Sequence, residues 1–177
     1  MSTLIYSEKY SIDDYHLWEG EWELIYGDAY AMSPSPVYDH QFTNGKIFRQ
    51  LDEGLDDCKA CSATIEMDWD VASDTIVHPD SMVICYEPGE RLTKRPEIIF
   101  EVISPSSSKR DELLKFDLYQ NEGVPYYILV YPESKKAKLY QLIDFKYQKI
   151  DDFSDETYRF EIKKCAIDFD FGFIWRE

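Results

Sequence analysis

The sequence predicts one α/β (α+β) domain spanning residues 1–177, built on a mixed central β-sheet flanked by helices. Short apolar segments typical of strands recur along the chain, and helix signals stand between them. No segment has the composition of a linker. A length of 177 residues is also typical of one domain, and it allows a sizeable core without disulfide or metal support.

The first third of the chain predicts two helices and a hairpin. Ser11 precedes acidic residues, which is the pattern of a capped helix start, and Gly27-Asp28 is typical of a tight turn between strands. The predicted elements are a helix near 11–19, strands at Trp22–Tyr26 and Ala29–Ser33, and a helix that ends near Gly54.

The rest of the chain predicts the centre of the sheet. The segment EIIFEVI is nearly continuous in apolar residues and indicates a central strand that is buried on both faces. Ser104 to Ser108 form a cap for the next helix, which ends at a glycine. The predicted elements are strands at 60–71, 76–86 and 97–103, a helix that stops at Gly123, a strand at Tyr126–Tyr131 and a closing meander.

Composition limits the classes of function. Apolar residues make up 44% and charged residues 31%, which excludes a disordered chain and a bundle of membrane helices. With no apolar segment long enough to span a bilayer and no signal-peptide pattern, we expect a cytoplasmic protein without a membrane partner. The net charge of -16 argues against a general nucleic-acid coat protein, but it leaves room for a local cationic cleft.

Three residues could together carry chemistry. Asp80 follows a proline at a strand start, Glu101 interrupts an apolar strand, and Lys115 lies in the following helix. A carboxylate in a core strand is costly unless it is paired or bound to a metal. Two carboxylates from adjacent strands are ligands that Mg²⁺ prefers, and a nearby lysine stabilises developing phosphate charge. The set predicts a site for phosphodiester hydrolysis.

Several motifs in the same order carry a family resemblance. The chain resembles the PD-(D/E)XK nuclease superfamily and, more narrowly, the bacterial Uma-type restriction endonuclease family, over about residues 8–145. The resemblance implies a restriction endonuclease-like fold and a metal-dependent endonuclease. The matching segments are Trp22–Asp28, Met32–Ser35 with His40, Pro79-Asp80, Glu101–Ser106, Asp111…Lys115…Tyr119 and Gly123–Tyr127.

The resemblance implies particular roles around a metal ion. Asp80 and Glu101 would bind Mg²⁺ (or Mn²⁺) together with the main-chain carbonyl of Val102, and Glu23 would act as an accessory acid. The superfamily's lysine two residues after the glutamate is replaced here by Ile103. Lys115, on the next helix, matches the relocated lysine of the narrower family.

The resemblance also implies a nucleic-acid partner, DNA in the first place, and a homodimer. Lys94, Arg95, Lys109 and Arg110 flank the predicted site in sequence and could form a cationic patch. His40 joins the substrate-binding residues through the family match alone, since such a histidine is ordinarily a cap or surface residue.

An alternative function stays open. The chain could be a catalytically inactive interaction module in which Glu101 and Lys115 form a structural ion pair. The acidic net charge favours this alternative, because a nuclease must collect phosphate against that field.

The four cysteines are expected to be free thiols. Cys58 and Cys61 have the spacing of a zinc-binding pair, but a structural zinc site needs four ligands and no second pair is present. The sequence therefore gives no prediction of a zinc site.

Overall fold

Runs of strands separated by helices make up the chain in the computed structural model, which describes residues 7–32, 37–105, 107–163 and 165–175. The strands are β1 (Trp22–Ile25), β2 (Asp28–Ala31), β3 (Ser62–Ile65), β4 (Trp69–Ala72), β5 (Thr75–Val77), β6 (Ser81–Ile84), β7 (Ile98–Val102), β8 (Tyr126–Tyr131), β9 (Lys136–Ile143), β10 (Lys146–Phe153), β11 (Thr157–Ile162) and β12 (Cys165–Asp170). The helices are α1 (Ile12–Tyr15), α2 (Tyr38–Glu53), a π-helical segment (Arg110–Leu114), α3 (Lys115–Asn121) and a 3-10 helix (Phe171–Ile174). None of these helices is both long and apolar enough to cross a membrane.

A six-stranded mixed sheet lies at the centre, in the order β10-β9-β8-β7-β6-β3. The pair β7 and β8 is parallel, and the other neighbours are antiparallel. Parallel neighbours need a crossover, which the π-helical segment and α3 supply. The predicted mixed sheet with flanking helices is confirmed, and β7 is buried along its whole length.

The two faces of this sheet carry separate apolar layers. On β7, Ile98, Phe100 and Val102 belong to one layer, with α2 and the β11–β12 hairpin. Ile99 belongs to the other layer, with α3 and a second sheet of order β2-β1-β5-β4. Aromatic residues spread evenly along the chain suggest one continuous core, but the central sheet divides the core into two layers. Glu101 is on the same face of β7 as Ile99 because side chains alternate along a strand.

Two long predicted strands are each split between sheets. The segment 60–71 forms β3 and β4, which are separated by Glu66 in the left-handed region at φ 47°. The segment 76–86 forms β5 and β6, and His78-Pro79-Asp80 lies between them. Pro79 cannot donate a ladder hydrogen bond, so the chain leaves one sheet there and enters the other.

Three other boundaries also differ from the sequence prediction. The helix near 11–19 is only the short α1, and the predicted strand end at Ser33 lies outside the described residues. The closing meander stops after β10, because β11 pairs with β12 in a sheet of its own.

The expectation of free thiols is wrong in this structure. Cys58 is bonded to Cys165 and Cys61 to Cys85, over sequence separations of 107 and 24 residues. The partners meet because β3 pairs with β6 and the β11–β12 hairpin packs on α2. Sequence spacing does not reveal such contacts.

Candidate active site

Asp80 directly precedes β6, and Glu101 lies on the neighbouring strand β7. In the antiparallel pair of β6 and β7, Ser81 is the partner of Phe100 and Met82 is the partner of Ile99. Extended by one residue, this register carries Asp80 toward Glu101. Both side chains line the same cleft.

The main chain and a histidine orient Asp80. The N–H of Val102 donates to Asp80 Oδ2 at 2.7 Å, and His40 Nε2 lies 3.3 Å from the same oxygen. Burial alone would lower the pKa of His40, but the hydrogen bond and charge of Asp80 outweigh it and raise that pKa. His40 belongs to α2, so helix and sheet together fix this carboxylate.

Glu101 is buried, with 3% of its surface exposed, and is held by two donors from α3. Lys115 Nζ donates to Glu101 Oε1 at 2.9 Å, and the Tyr119 hydroxyl donates to the same oxygen at 3.0 Å. Both hydrogen bonds end on Oε1. Residues 115 and 119 are one helical turn apart, so they lie on one face of α3.

Lys115 lies among three carboxylates. Its Nζ is 2.7 Å from Glu23 Oε1, 2.9 Å from Glu101 Oε1 and 3.2 Å from Asp111 Oδ1. Asp111 lies in the π-helical segment, where the N–H of Lys115 bonds the carbonyl of Arg110. This wider turn is a feature often found at functional sites. Asp111 and Lys115, four residues apart, meet on one side of it.

Glu23 links the second sheet to this group. It lies on β1 with 1% of its surface exposed, and it accepts a hydrogen bond from the N–H of His78 at 3.0 Å. Arg110 Nη1 is 3.3 Å from Glu23 Oε2. Glu23 therefore contacts both Lys115 and Arg110, as a buried acid between the two sheets.

Burial and charge set the proton affinities of the group. Burial raises the pKa of Glu101 well above its usual value, with Lys115 opposing and the neighbouring acids adding to the rise. Burial likewise raises the pKa of Asp111. For Lys115, burial alone would lower the pKa, but Glu101, Glu23 and Asp111 outweigh it and raise that pKa well above its usual value. The surrounding carboxylates therefore favour the charged form of Lys115.

These residues line a cleft of about 630 Å³. Six acids line it: Glu21, Glu23, Glu66, Asp80, Glu101 and Asp111. Among the described residues that line it, Arg110 and Lys115 are the side chains with a permanent positive charge. The fully ionised cleft thus carries an excess of four negative charges. Such a set of hard oxygen donors fits a divalent cation such as Mg²⁺.

The main-chain carbonyl of Val102 also fits the donor set. The N–H of Ile103 bonds the carbonyl of Val130 on β8, so the polar groups of Val102 point the other way, toward Asp80. The hydrogen bond from Val102 N–H to Asp80 agrees with this direction. Asp80, Glu101 and Val102 could therefore hold one metal ion.

The predicted cationic patch is not formed as expected. Lys94 and Arg95 lie before β7 and Glu101 near its end, so five residues, roughly 20 Å of extended chain, separate Arg95 from Glu101. Arg95 pairs there with Glu97 at 3.4 Å. Neither Lys94 nor Arg95 is among the residues that line the cleft. Lys94 and Arg95 are close to Glu101 in sequence, but the extended strand that begins between them keeps them apart in space.

Lys109 and Arg110 do lie at the site. Arg110 lines the cleft, and both residues line a smaller neighbouring cavity beside β2. The Arg110 guanidinium lies over the Tyr30 ring, 5.5 Å from its centre. These cations mark one edge of the cleft.

Sequence reasoning missed Asp111 and Tyr119 as site residues. Asp111, Lys115 and Tyr119 follow one another at intervals of four, so one helix face carries all three. That spacing was the one sequence pattern by which Asp111 and Tyr119 could have been recognised as site residues. It is a weak pattern, because an acid in the first turn of a helix ordinarily interacts with the helix dipole.

Comparison with known proteins agrees with this architecture. In solved structures, the chain is similar to a putative nuclease of the DUF820 family from Anabaena variabilis ATCC 29413, with a TM-score of 0.77 and 14% identity. The similarity covers 94% of this chain and 97% of that one. No curated protein matches the chain. The family model Uma2, described as "Putative restriction endonuclease", matches residues 12–159. The chain therefore belongs to the Uma2 family.

Proposed function

We propose that this protein is a metal-dependent nuclease that hydrolyses phosphodiester bonds in DNA, with Mg²⁺ or Mn²⁺ as its cofactor. The observation that carries the proposal is that Asp80, Glu101 and Lys115 line one acidic cleft, with Lys115 bonded to Glu101. Membership of a family described as restriction endonucleases supports it. So does the fold shared with a protein described as "a putative nuclease".

Asp80, Glu101 and the carbonyl of Val102 would hold the metal. When bound, the ion would polarise a phosphate oxygen and lower the pKa of a coordinated water. Val102 N–H and His40 keep Asp80 in place, and Tyr119 does the same for Glu101. Each ligand is thus oriented by a second group, which is a common arrangement at metal sites.

Lys115 would stabilise the negative charge that develops on the phosphoryl oxygens. Its three carboxylate neighbours keep it protonated and fix its position. Glu23 serves as the accessory acid that holds Lys115 and Arg110. A preoriented cation in a buried site stabilises a transition state without further rearrangement.

DNA would reach the cleft along the edge formed by Lys109 and Arg110, with His40 on the α2 side. Because the cleft itself is acidic, the substrate phosphate needs the metal ion to offset the charge of the six acids. We therefore expect substrate binding near the metal to require the cation as well.

The test is cleavage of supercoiled plasmid DNA with Mg²⁺ or Mn²⁺, with a matched single-stranded RNA as the comparison substrate. The variants are Asp80→Asn and Glu101→Gln, and Asp117→Asn is the control because it removes an exposed carboxylate from α3. We expect both site variants to lose on the order of 100-fold in rate and the control to keep it. Calorimetric titration with Mn²⁺ gives the corresponding loss of metal affinity.

Equal cleavage by wild type and both site variants would show that the activity comes from a contaminant. Cleavage of RNA in place of DNA would overturn the substrate assignment and leave the metal site standing. Circular dichroism at the assay temperature confirms that each variant is folded.

The alternative function is an inactive interaction module. The ion pair between Glu101 and Lys115, nearly excluded from solvent, is the observation that favours it. Under this alternative, Glu101→Gln lowers the free energy of unfolding while Mn²⁺ binds neither wild type nor variant. The calorimetric titration therefore separates the two functions.

We also propose that the protein acts as a homodimer. Lys94 and Arg95 lie at the far end of β7 from their own cleft, and a second copy could bring them to DNA bound at the cleft of the first. Light scattering with and without a short duplex measures the mass. A monomer in both conditions would contradict the dimer and leave the metal site unaffected.

A further inference from the structure

Four cysteines from four parts of the chain meet at one place. Cys58 lies in the turn after α2, Cys61 directly before β3, Cys85 directly after β6, and Cys165 at the start of β12. Cys61 and Cys85 occupy opposite positions next to the pair Ser62 and Ile84, and their Cα atoms are 3.9 Å apart. The Cα atoms of Cys58 and Cys165 are 6.0 Å apart.

The two disulfides form one sulfur cluster. The Sγ atoms of Cys58, Cys61 and Cys165 all lie within 4.8 Å of one another, although Cys61 belongs to the other disulfide. The fourth sulfur, of Cys85, is bonded to that of Cys61. Two independent disulfides do not have to lie next to each other. The four sulfurs of a tetrahedral zinc site do have to lie close together, since Zn–S bonds of about 2.3 Å put neighbouring sulfurs about 3.8 Å apart.

We propose that the reduced chain binds one Zn²⁺ through the thiolates of Cys58, Cys61, Cys85 and Cys165. Cys58 and Cys61 have the two-residue spacing of a zinc-binding pair. The structure supplies the missing pair from β6 and β12, which sequence spacing could not show. This proposal does not depend on the nuclease function.

The disulfide state and the zinc state use the same four sulfurs and exclude each other. Each disulfide takes up two electrons and two protons from a thiol or phosphine reductant and gives two thiols. The four thiols then release four protons as they bind Zn²⁺, so zinc affinity rises with pH. The tetrathiolate complex carries a net charge of −2.

Lysines near the cluster suit this negative charge. Lys163 Nζ lies 3.5 Å from the carbonyl oxygen of Cys85, and Lys59 lies in sequence between the first two ligands. Cys61 is buried, and the other three cysteines are partly buried against the apolar layer of α2. Adjacent cations and the metal ion itself favour thiolates, whereas apolar burial favours thiols, so the metal would supply most of the preference for thiolates here.

The site would fasten the C-terminal hairpin to the central sheet. Over the described residues, β11 and β12 pair only with each other, and Cys165 opens the second of these strands. Zinc would tie this strand to β3, to β6 and to the turn after α2. The cluster follows β6, whereas Asp80 precedes it, so the two proposed metal sites lie at opposite ends of one strand.

The test uses the full chain, reduced with a phosphine and freed of metal by a chelator. Titration with Co²⁺ should give the thiolate-to-cobalt charge-transfer absorption and the intense visible bands of a tetrahedral site, saturating at one equivalent. Zn²⁺ should then displace the cobalt. The same zinc should raise the melting temperature of the reduced chain, because only the folded state presents the site.

Variants assign the ligands. Cys61→Ser and Cys165→Ser should retain less than a tenth of the zinc of wild type, measured by elemental analysis after gel filtration. Asp117→Asn, which removes an exposed carboxylate from α3, should retain all of it. The thiolate-to-cobalt absorption reports sulfur ligands alone, which keeps this result separate from any failure of the nuclease site. If a serine variant does not fold, the cobalt spectrum of wild type decides the matter alone.

The proposal is overturned if the reduced, folded wild type shows no tetrahedral thiolate spectrum. It is overturned equally if Cys165→Ser binds zinc as wild type does. In either case the cysteines serve as two cross-links and no more.

Discussion

Asp80 is tied to the residue after Glu101, because the N–H of Val102 donates to Asp80 Oδ2 at 2.7 Å. Glu101 lies on strand β7, and Asp80 directly precedes β6. Val102 N–H and His40 contact Oδ2 of Asp80. Lys115 and Tyr119 contact Oε1 of Glu101. Strand β7 thus carries one carboxylate and anchors the other, and such support by a rigid element helps a site to hold its geometry.

Replacing Lys115 by Met should destabilise the fold severely. The change leaves Glu23, Glu101 and Asp111 without their shared cation in a buried place. Stranding buried charge typically costs about 3–5 kcal/mol. Urea unfolding at pH 7 measures the free energy, and Lys146→Met, which alters an exposed lysine on β10, is the control.

The same series tests whether the charges are coupled. Adding Glu101→Gln to Lys115→Met removes one of the stranded charges, so the double variant should be more stable than the sum of the single losses predicts. A coupling of about 1–3 kcal/mol is expected for contacting groups. If the losses of stability in the two single variants simply add, Glu101 and Lys115 do not interact.

Tyr119→Phe should lower the free energy of unfolding by about 1–2 kcal/mol, because it removes one buried hydrogen bond to Glu101 Oε1. The ring keeps its stacking on Trp69, with centres 5.9 Å apart. Tyr26→Phe deletes a hydroxyl from an exposed side chain and should change stability little. Equal effects of the two variants would argue against a role of Tyr119 in positioning Glu101.

Two glycines near the same helix should respond in opposite directions to alanine. Gly45 lies inside α2, and a Cβ there meets nothing within 4 Å, so Gly45→Ala should stabilise by roughly 1 kcal/mol. At Gly54, a Cβ would lie 2.7 Å from Ile167 Cγ2 on β12. Gly54→Ala should therefore cost about 1–3 kcal/mol through overpacking. Thermal unfolding of both variants tests how closely the hairpin packs on α2, and a harmless Gly54→Ala would show a looser contact.

The pair His78 and Asp68 predicts a dependence of stability on pH. Burial alone would lower the pKa of His78, but the Asp68 carboxylate, 2.9 Å away, outweighs it and raises that pKa. The folded state thus binds this proton more tightly than the unfolded state. The stabilisation that protonated His78 provides through Asp68 is fully present below about pH 6.5. It is lost as the pH rises through the folded-state pKa of His78.

The measurement compares wild type with His78→Gln by urea unfolding between about pH 5 and pH 9. The stability advantage of wild type should shrink as the pH rises. Taking the difference between the two proteins cancels the titration of His40, whose pKa is also raised. A difference that is constant over this range would show that the pair with Asp68 does not hold the proton.

Much of the central sheet could be predicted from the sequence. The apolar strand around Glu101 and the glycine that ends α3 carry strong local signals, and both predictions are confirmed. The split of 60–71 and 76–86 between two sheets could not be predicted, because it depends on which distant strands they pair with. Pro79 marks the break but does not say where each half goes.

Only part of the candidate site could be predicted from the sequence as well. Asp80, Glu101 and Lys115 could be singled out because charge in or near apolar segments is costly. The structure brings all three together with Glu23. The π-helical turn that turns Asp111 inward depends on tertiary packing, and so does the meeting of four single cysteines.

The β11–β12 hairpin limits where an expressed fragment of this domain can end. The family match ends at residue 159, inside β11, yet the following residues fill the layer beneath α2. The apolar side chains concerned are Phe160, Ile162, Ile167, Phe169, Phe171 and Ile174. An expressed fragment trimmed to the family boundary would open that layer to water and aggregate. The unit that folds autonomously is larger than the unit that sequence similarity defines.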